Sequence, residues 1–251
     1  MKALLLAVAL SAIVFSPALA QTAPSPTRPV QTAVDYTSLM TPENTAVLFI
    51  DNQSGLILGV QSMDHTVLVR NTEALAKLTK LFNLPVVLTT TGGGANGPAG
   101  PLMPSITQTF PDTPVIDRQM YFNAMDDAAF AQAVRALGKK NLILSGISTD
   151  YCLIYPAASL IREGYHVFIV TDTSGSWTDQ IELAAQSRLV QMGATLTNVQ
   201  SIAGELQNAL AASGADRARA NQQGLLAWFS EYGAAPSLLL LPFAGRLGNA
   251  N

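Results

Sequence analysis

The chain contains one cysteine, Cys152, and two histidines, His65 and His166. A lone cysteine cannot form an intramolecular disulfide, so Cys152 is a buried inert thiol, an intermolecular link or a reactive group. The usual base for a nucleophilic thiol is histidine, and neither histidine is well placed. His65 precedes a helical pattern, and His166 opens an apolar run at the end of a strand where α/β folds do not build sites. Cys-His and Ser-His-Asp machinery are therefore disfavoured. No H-x-H or H-E-x-x-H spacing offers a histidine-rich metal site, and no metal or cofactor is expected. Two other residues could serve the thiol. Asp51 follows the apolar run Ala46 to Ile50, and Arg118 closes a long Gly/Pro-rich stretch. A carboxylate offers an acceptor, although a strand-capping Asp can be purely structural. A guanidinium beside the thiol would favour the thiolate but cannot carry a proton, and an isolated Arg is ordinarily a solvated surface charge.

These residues depend on the elements that hold them. Apolar runs at Ala46–Ile50, Val86–Leu88, Leu142–Leu144, Val167–Val170 and Thr195–Val199 read as strands of a parallel sheet, continuous in apolar character because helices cover both faces. Helical spacing over Val67–Phe82, Asp126–Leu137, Tyr155–Arg162 and Gln180–Met192 supplies the crossovers. Asn83-Leu84-Pro85, Gly138, Gly164 and Gly193 stop helices just before strands. The predicted fold is α/β, a three-layer α/β/α sandwich with a mostly parallel sheet. Thr91 to Asp117 is expected to be a long loop at a strand's C-terminal end, hence a pocket wall. Asp51 and Cys152 then lie at the same edge of the sheet, with Cys152 at the start of the helix after Leu142–Leu144. The N–H groups of that helix end could stabilise a thiolate or hold an oxyanion, so the Cys152 pKa is expected below its usual value of about 8.5.

Residues 1–20 read as a signal peptide: Lys2, an apolar run from Ala3 to Phe15 too short to span a bilayer, then Ala18-Leu19-Ala20. Export to the periplasm or the medium is expected, with residues 21–40 a flexible leader, 41–233 the catalytic-type domain and 234–251 a C-terminal tail. No membrane span is expected after processing. Charged residues make up 12 % and the net charge is −3, with no basic run, so nucleic acid is not an expected partner. Ala218 to Tyr232 reads as a last helix. Leu238 to Leu241 in the tail would expose an apolar patch unless another subunit or the same one covers it.

The segments Thr45 to Gly55, Asn83-Leu-Pro85 with Leu88-Thr-Thr90, Asn96-Gly97-Pro98, Phe110-Pro-Asp112, Gly138-Lys-Lys140 and Leu144 to Cys152 together resemble the isochorismatase-like cysteine hydrolases, in particular the YcaC-like branch. The resemblance covers about residues 40 to 230. It implies a catalytic triad of Asp51, Arg118 and Cys152, with Arg118 standing where most of the family has Lys. It also implies a cis peptide between Ile147 and Ser148 that turns the Ser148 N–H toward that of Cys152 as an oxyanion hole. Metal-dependent nicotinamidases of the family carry an Asp-x-His cluster, whereas Asp64-His65 has no second histidine nearby. Higher oligomers are implied, so a homo-oligomer is expected.

The expected activity is hydrolysis of a small amide, carbamoyl or related acyl compound through a Cys152 thioester. Asp51 would move the protons, and Tyr121, Phe122, Asn123 and Trp177 would wall the substrate pocket. The competing readings are a binding or assembly protein of the same fold with a reactive thiol, and a redox protein. A thiol without a resolving partner disfavours the latter.

Overall fold

The computed structural model describes residues 39–233. The predicted signal peptide, most of the leader and the tail with Leu238–Leu241 lie outside the described residues. Among the described residues, six strands form one parallel sheet: β1 (Thr45–Ile50), β2 (Val86–Thr91), β3 (Val115–Arg118), β4 (Asn141–Gly146), β5 (His166–Val170) and β6 (Thr195–Thr197), in the order β3-β2-β1-β4-β5-β6. The helices are α1 (Ser54–Ile57), α2 (His65–Leu81), α3 (Pro104–Thr109), α4 (Ala128–Ala136), α5 (Ile154–Arg162), α6 (Asp179–Met192), α7 (Val199–Ser213) and α8 (Ala215–Tyr232).

The alternation of β1 explains its unbroken apolar sequence. Val47 and Phe49 pack with Leu68, Leu75 and Leu78 of α2 and with Ile202 and Leu206 of α7. Ala46, Leu48 and Ile50 pack on the opposite face with Phe130 of α4, Leu160 of α5 and Leu189 of α6. Both sets are sealed from water, each large side chain contributing roughly 1.5 to 3 kcal/mol. The expected three-layer sandwich is thus the observed one. α8 closes over α2, where the Trp228 indole N–H donates to the Ala74 carbonyl at 2.9 Å.

Three parts depart from the expected layout. Thr91 to Asp117 is not one loop, since it holds α3 and most of β3, an edge strand whose Val115 and Asp117 side chains are exposed. The last strand is three residues long, and Val199 begins α7 instead of ending β6 because Asn198 caps that helix by accepting the Ser201 N–H. The whole of α7 was absent from the expected elements.

Candidate active site

The reversal of strand order falls between β1 and β4, which are neighbours. In open parallel sheets the crevice for a ligand opens at such a switch, outside the strands' C-terminal ends. Ile50 pairs with Gly146 there, so the chain leaves β1 as Asp51 and leaves β4 as Ile147 side by side. The approach is close: a Cβ at Gly146 would lie 2.3 Å from the Ile50 carbonyl oxygen.

Asp51 is fully buried and has a left-handed backbone, φ 59°. Non-glycine residues seldom adopt this conformation, and it occurs preferentially at functional sites. Its N–H donates to the Thr89 carbonyl at 3.0 Å, while its own carbonyl accepts from the Gln53 N–H. Arg118 ends β3, opposite Thr91, with its side chain directed inward and wholly enclosed. Its Nη2 lies 2.5 Å from both Asp51 carboxylate oxygens, its Nε donates to the Thr89 hydroxyl at 2.8 Å, and its Nη1 donates to the Tyr121 carbonyl at 2.9 Å. Removing two charges from water is costly, and a close pair whose other two guanidinium nitrogens also donate to protein oxygens offsets part of that cost.

Cys152 sits in a π-helical turn, Thr149–Leu153, that leads into α5. Such turns are rare in helices generally and are frequent at functional sites. The Thr149 N–H donates to the Gly175 carbonyl and the Leu153 N–H to the Ser148 carbonyl, fixing the turn on both sides. The Ile147–Ser148 peptide is cis, and the Ser148 backbone N–H is directed at the Cys152 sulfur. Asp51 faces the thiol closely enough that each perturbs the other's protonation.

The direction of the thiol shift corrects the sequence-based expectation. Cys152 is 8 % exposed, and burial pushes its pKa well above the usual value, followed by the charge of Asp51 and its hydrogen bond; Arg118 and the Ser148 N–H pull it down less strongly. Burial likewise raises the Asp51 carboxyl, against the opposing pull of Arg118. Desolvation therefore outweighs the helix end and the cation, and the resting thiol keeps its proton.

A cavity of about 270 Å³ opens beside Cys152. Tyr121, Phe122 and Trp177 are on its wall, as are Leu56, Met120 and Tyr151, which sequence reasoning missed. The Phe122 and Tyr151 rings stack with centroids 4.9 Å apart. Trp177 rests on Gly59, where a Cβ would lie 2.8 Å from the indole. Asn123 is not on the wall: its side chain accepts the Met125 N–H and donates to Asp126 and Ser159. Only the first part of the Gly/Pro-rich segment forms wall, at Thr91, Gly92, Pro98 and Ala99. Gln53 pins that part in place, its amide accepting the Thr91 N–H at 2.9 Å and donating to the carbonyls of Thr91 and Gly100.

The histidines stand elsewhere. His65 Nε2 lies 2.7 Å from the Val60 carbonyl oxygen, and His166 Nδ1 lies 3.1 Å from the Asn141 side-chain oxygen. Among the described residues no group of three or more His, Cys, Asp and Glu is placed to hold a metal ion, and no helix is long and apolar enough to cross a membrane.

The sequence and the parallel sandwich have known counterparts. Residues 45–201 match the isochorismatase domain, and the chain belongs to the isochorismatase family of hydrolases. Within that family it is YcaC-like: the probable hydrolase YcaC of Escherichia coli (strain K12) is 44 % identical over 163 residues, which cover 65 % of this chain and 77 % of that protein. The crystal structure of Escherichia coli YcaC, described as an octameric hydrolase of unknown specificity, superposes with a TM-score of 0.74 at 36 % identity, covering 83 % of this chain and 97 % of that one. YcaC from Pseudomonas aeruginosa, solved with hexane-2,5-diol and covalent acrylamide, gives 0.72 at 34 % identity, covering 85 % and 97 %.

Proposed function

We propose that the chain is a cysteine-dependent hydrolase acting on the C–N bond of a small amide, carbamoyl or related acyl compound. The observation that carries this reading is the enclosed row Arg118–Asp51–Cys152 beside the cavity, in which the carboxylate facing the thiol is held by a cation that cannot itself carry a proton. The covalent acrylamide of the Pseudomonas aeruginosa relative supports a reactive group in this branch.

Because the resting thiol is protonated, the proton leaves as the sulfur attacks. Asp51 takes it while the S–C bond forms at the acyl carbon, and the Ser148 and Cys152 N–H groups receive the oxyanion. The C–N bond then breaks, Asp51 returns the proton to the leaving nitrogen, and a thioester remains. Water attacks that thioester with loss of a proton to Asp51, the C–S bond breaks, and the proton returns to sulfur as the acid departs. Arg118 opposes the carboxylate charge throughout.

Assay of small amides and carbamoyl compounds against wild type and Cys152→Ala tests this reading, together with intact-mass detection of an acyl adduct during turnover. Hydrolysis that persists in Cys152→Ala would exclude it. A homo-oligomeric enzyme is proposed alongside, supported by the octameric Escherichia coli relative. Export is proposed on the pattern of residues 1–20.

A further inference from the structure

We infer that the substrate amide carries an uncharged, apolar substituent, aliphatic or aryl, and that the site discriminates against amides bearing a carboxylate; this specifies the substrate class of the hydrolysis proposed above and rests on it. Among the described residues, none of those lining the cavity is charged. The polar side chains on its wall are Thr91, Ser148, Cys152 and the phenol groups of Tyr121 and Tyr151, whereas Leu56, Met120, Phe122 and Trp177 present hydrocarbon and ring surface. An anion entering it would lose hydration without meeting a cation.

The one nearby cation among the described residues is already engaged. Each of the three guanidinium nitrogens of Arg118 donates to a protein oxygen, on Asp51, Thr89 or Tyr121, and its side chain has no exposed surface. It balances Asp51 and has no free face for a substrate carboxylate. The mouth of the cavity points the same way. Met120 is 75 % exposed and Phe122 59 %, with Tyr121 and Tyr151 also exposed, so apolar side chains crowd the entrance where a polar rim would normally lie. A contiguous patch of that kind around a cavity marks a surface for an apolar ligand. The volume, about 270 Å³, restricts the ligand to a small one.

Two matched thiol-directed probes test the inference on the full chain: N-benzylacrylamide, which is neutral, and N-acryloylglycine, which is anionic. Each adds to Cys152 by forming a C–S bond at the terminal alkene carbon while the thiol proton passes to the adjacent carbon, and nothing leaves. Alkylation rates from intact mass are divided by the rate of each probe with a free small thiol. The expected result is a normalised preference for the benzyl probe of at least about tenfold. Met120→Lys, at an exposed position on the wall, should shrink that preference by speeding the anionic probe. A ratio near one, a preference for the anion, or failure of both probes to label Cys152 overturns the inference. Hydrolysis of phenylacetamide and succinamate is measured in parallel. Preferential turnover of succinamate would overturn the inference and leave cysteine hydrolysis standing. The labelling preference without turnover of either amide would support the cavity's selectivity and count against the hydrolytic reading.

Discussion

Thr89 receives the Nε–H of Arg118 on its hydroxyl at 2.8 Å, and the same hydroxyl donates to the Ile116 carbonyl at 2.7 Å. Its carbonyl meanwhile accepts the Asp51 N–H. One threonine of β2 thus aligns both members of the ion pair. Thr89→Val keeps the shape and removes the acceptor, leaving a buried guanidinium N–H unsatisfied at a cost of about 1 to 3 kcal/mol. The expected outcome is a lower denaturant midpoint and reduced kcat, with Thr89→Ser restoring both. An unchanged kcat in Thr89→Val would show that the alignment is not needed.

The thiol responds to its two charged neighbours in opposite directions. Burial and Asp51 hold Cys152 protonated beyond its ordinary range, so alkylation should rise through a midpoint above about pH 8.5. Asp51→Asn should lower that midpoint and speed labelling near neutrality while abolishing hydrolysis. Arg118→Gln should raise it, and by leaving a buried carboxylate unpaired should cost on the order of 3 to 5 kcal/mol of stability. Rates of iodoacetamide labelling against pH decide the signs.

The same shift links stability to pH. Above the ordinary thiol pKa the unfolded chain has released a proton that folded Cys152 still holds, so the folded state loses stability as pH rises through that window. Cys152→Ala should remove this component of the decline, as read from urea midpoints on either side of about pH 8.5.

At Gly146 the tightest contact is with backbone, which unlike a side chain cannot turn aside. Gly146→Ala would force the ends of β1 and β4 apart by placing a Cβ against the Ile50 carbonyl. The stability cost should be about 1 to 3 kcal/mol. Activity should fall further, on the order of 100-fold, because the displaced segments carry Asp51 and the Ile147–Ser148 peptide. Comparison of kcat/KM with the unfolding midpoint separates the two effects.

Assembly and processing can be checked on one preparation. Protein expressed from the whole sequence should be recovered from the envelope beginning at Gln21, and light scattering should give a multiple of the chain mass. An intact Met1 or a monomeric mass would refute the respective proposal.

The central strands were legible in the sequence because burial on both faces forces uninterrupted apolar runs, as in Ala46–Ile50 within β1 and Leu142–Leu144 within β4. β3 was not, because an edge strand with Val115 and Asp117 exposed has no such run and follows a Gly/Pro-rich segment. Val199 misled for another reason: a β-branched residue after two threonines reads as strand, and only the Asn198 cap turns it into a helix start. At the site, Asp51 and Cys152 could be singled out from their positions beyond expected strand ends, whereas Arg118 closed a Gly/Pro-rich segment and was joined to them only by family likeness. Thr89 and Gln53 could not, since a buried polar residue signals its purpose only through partners distant in sequence. The error over the thiol has the same origin. Helix ends and cations are visible in a sequence, whereas the degree of desolvation is not.

The strand order also divides the site by chain segment. Asp51, Thr89 and Arg118 lie on or directly after β1, β2 and β3, a consecutive unit that supplies both members of the ion pair. Cys152 arrives with β4, which adds to the opposite edge of β1. During folding, the carboxylate and guanidinium can meet before the sulfur is covered, and the only cysteine becomes shielded when the second half of the sheet docks. Pulse labelling of that thiol during refolding would time the union of the two halves without any engineered probe.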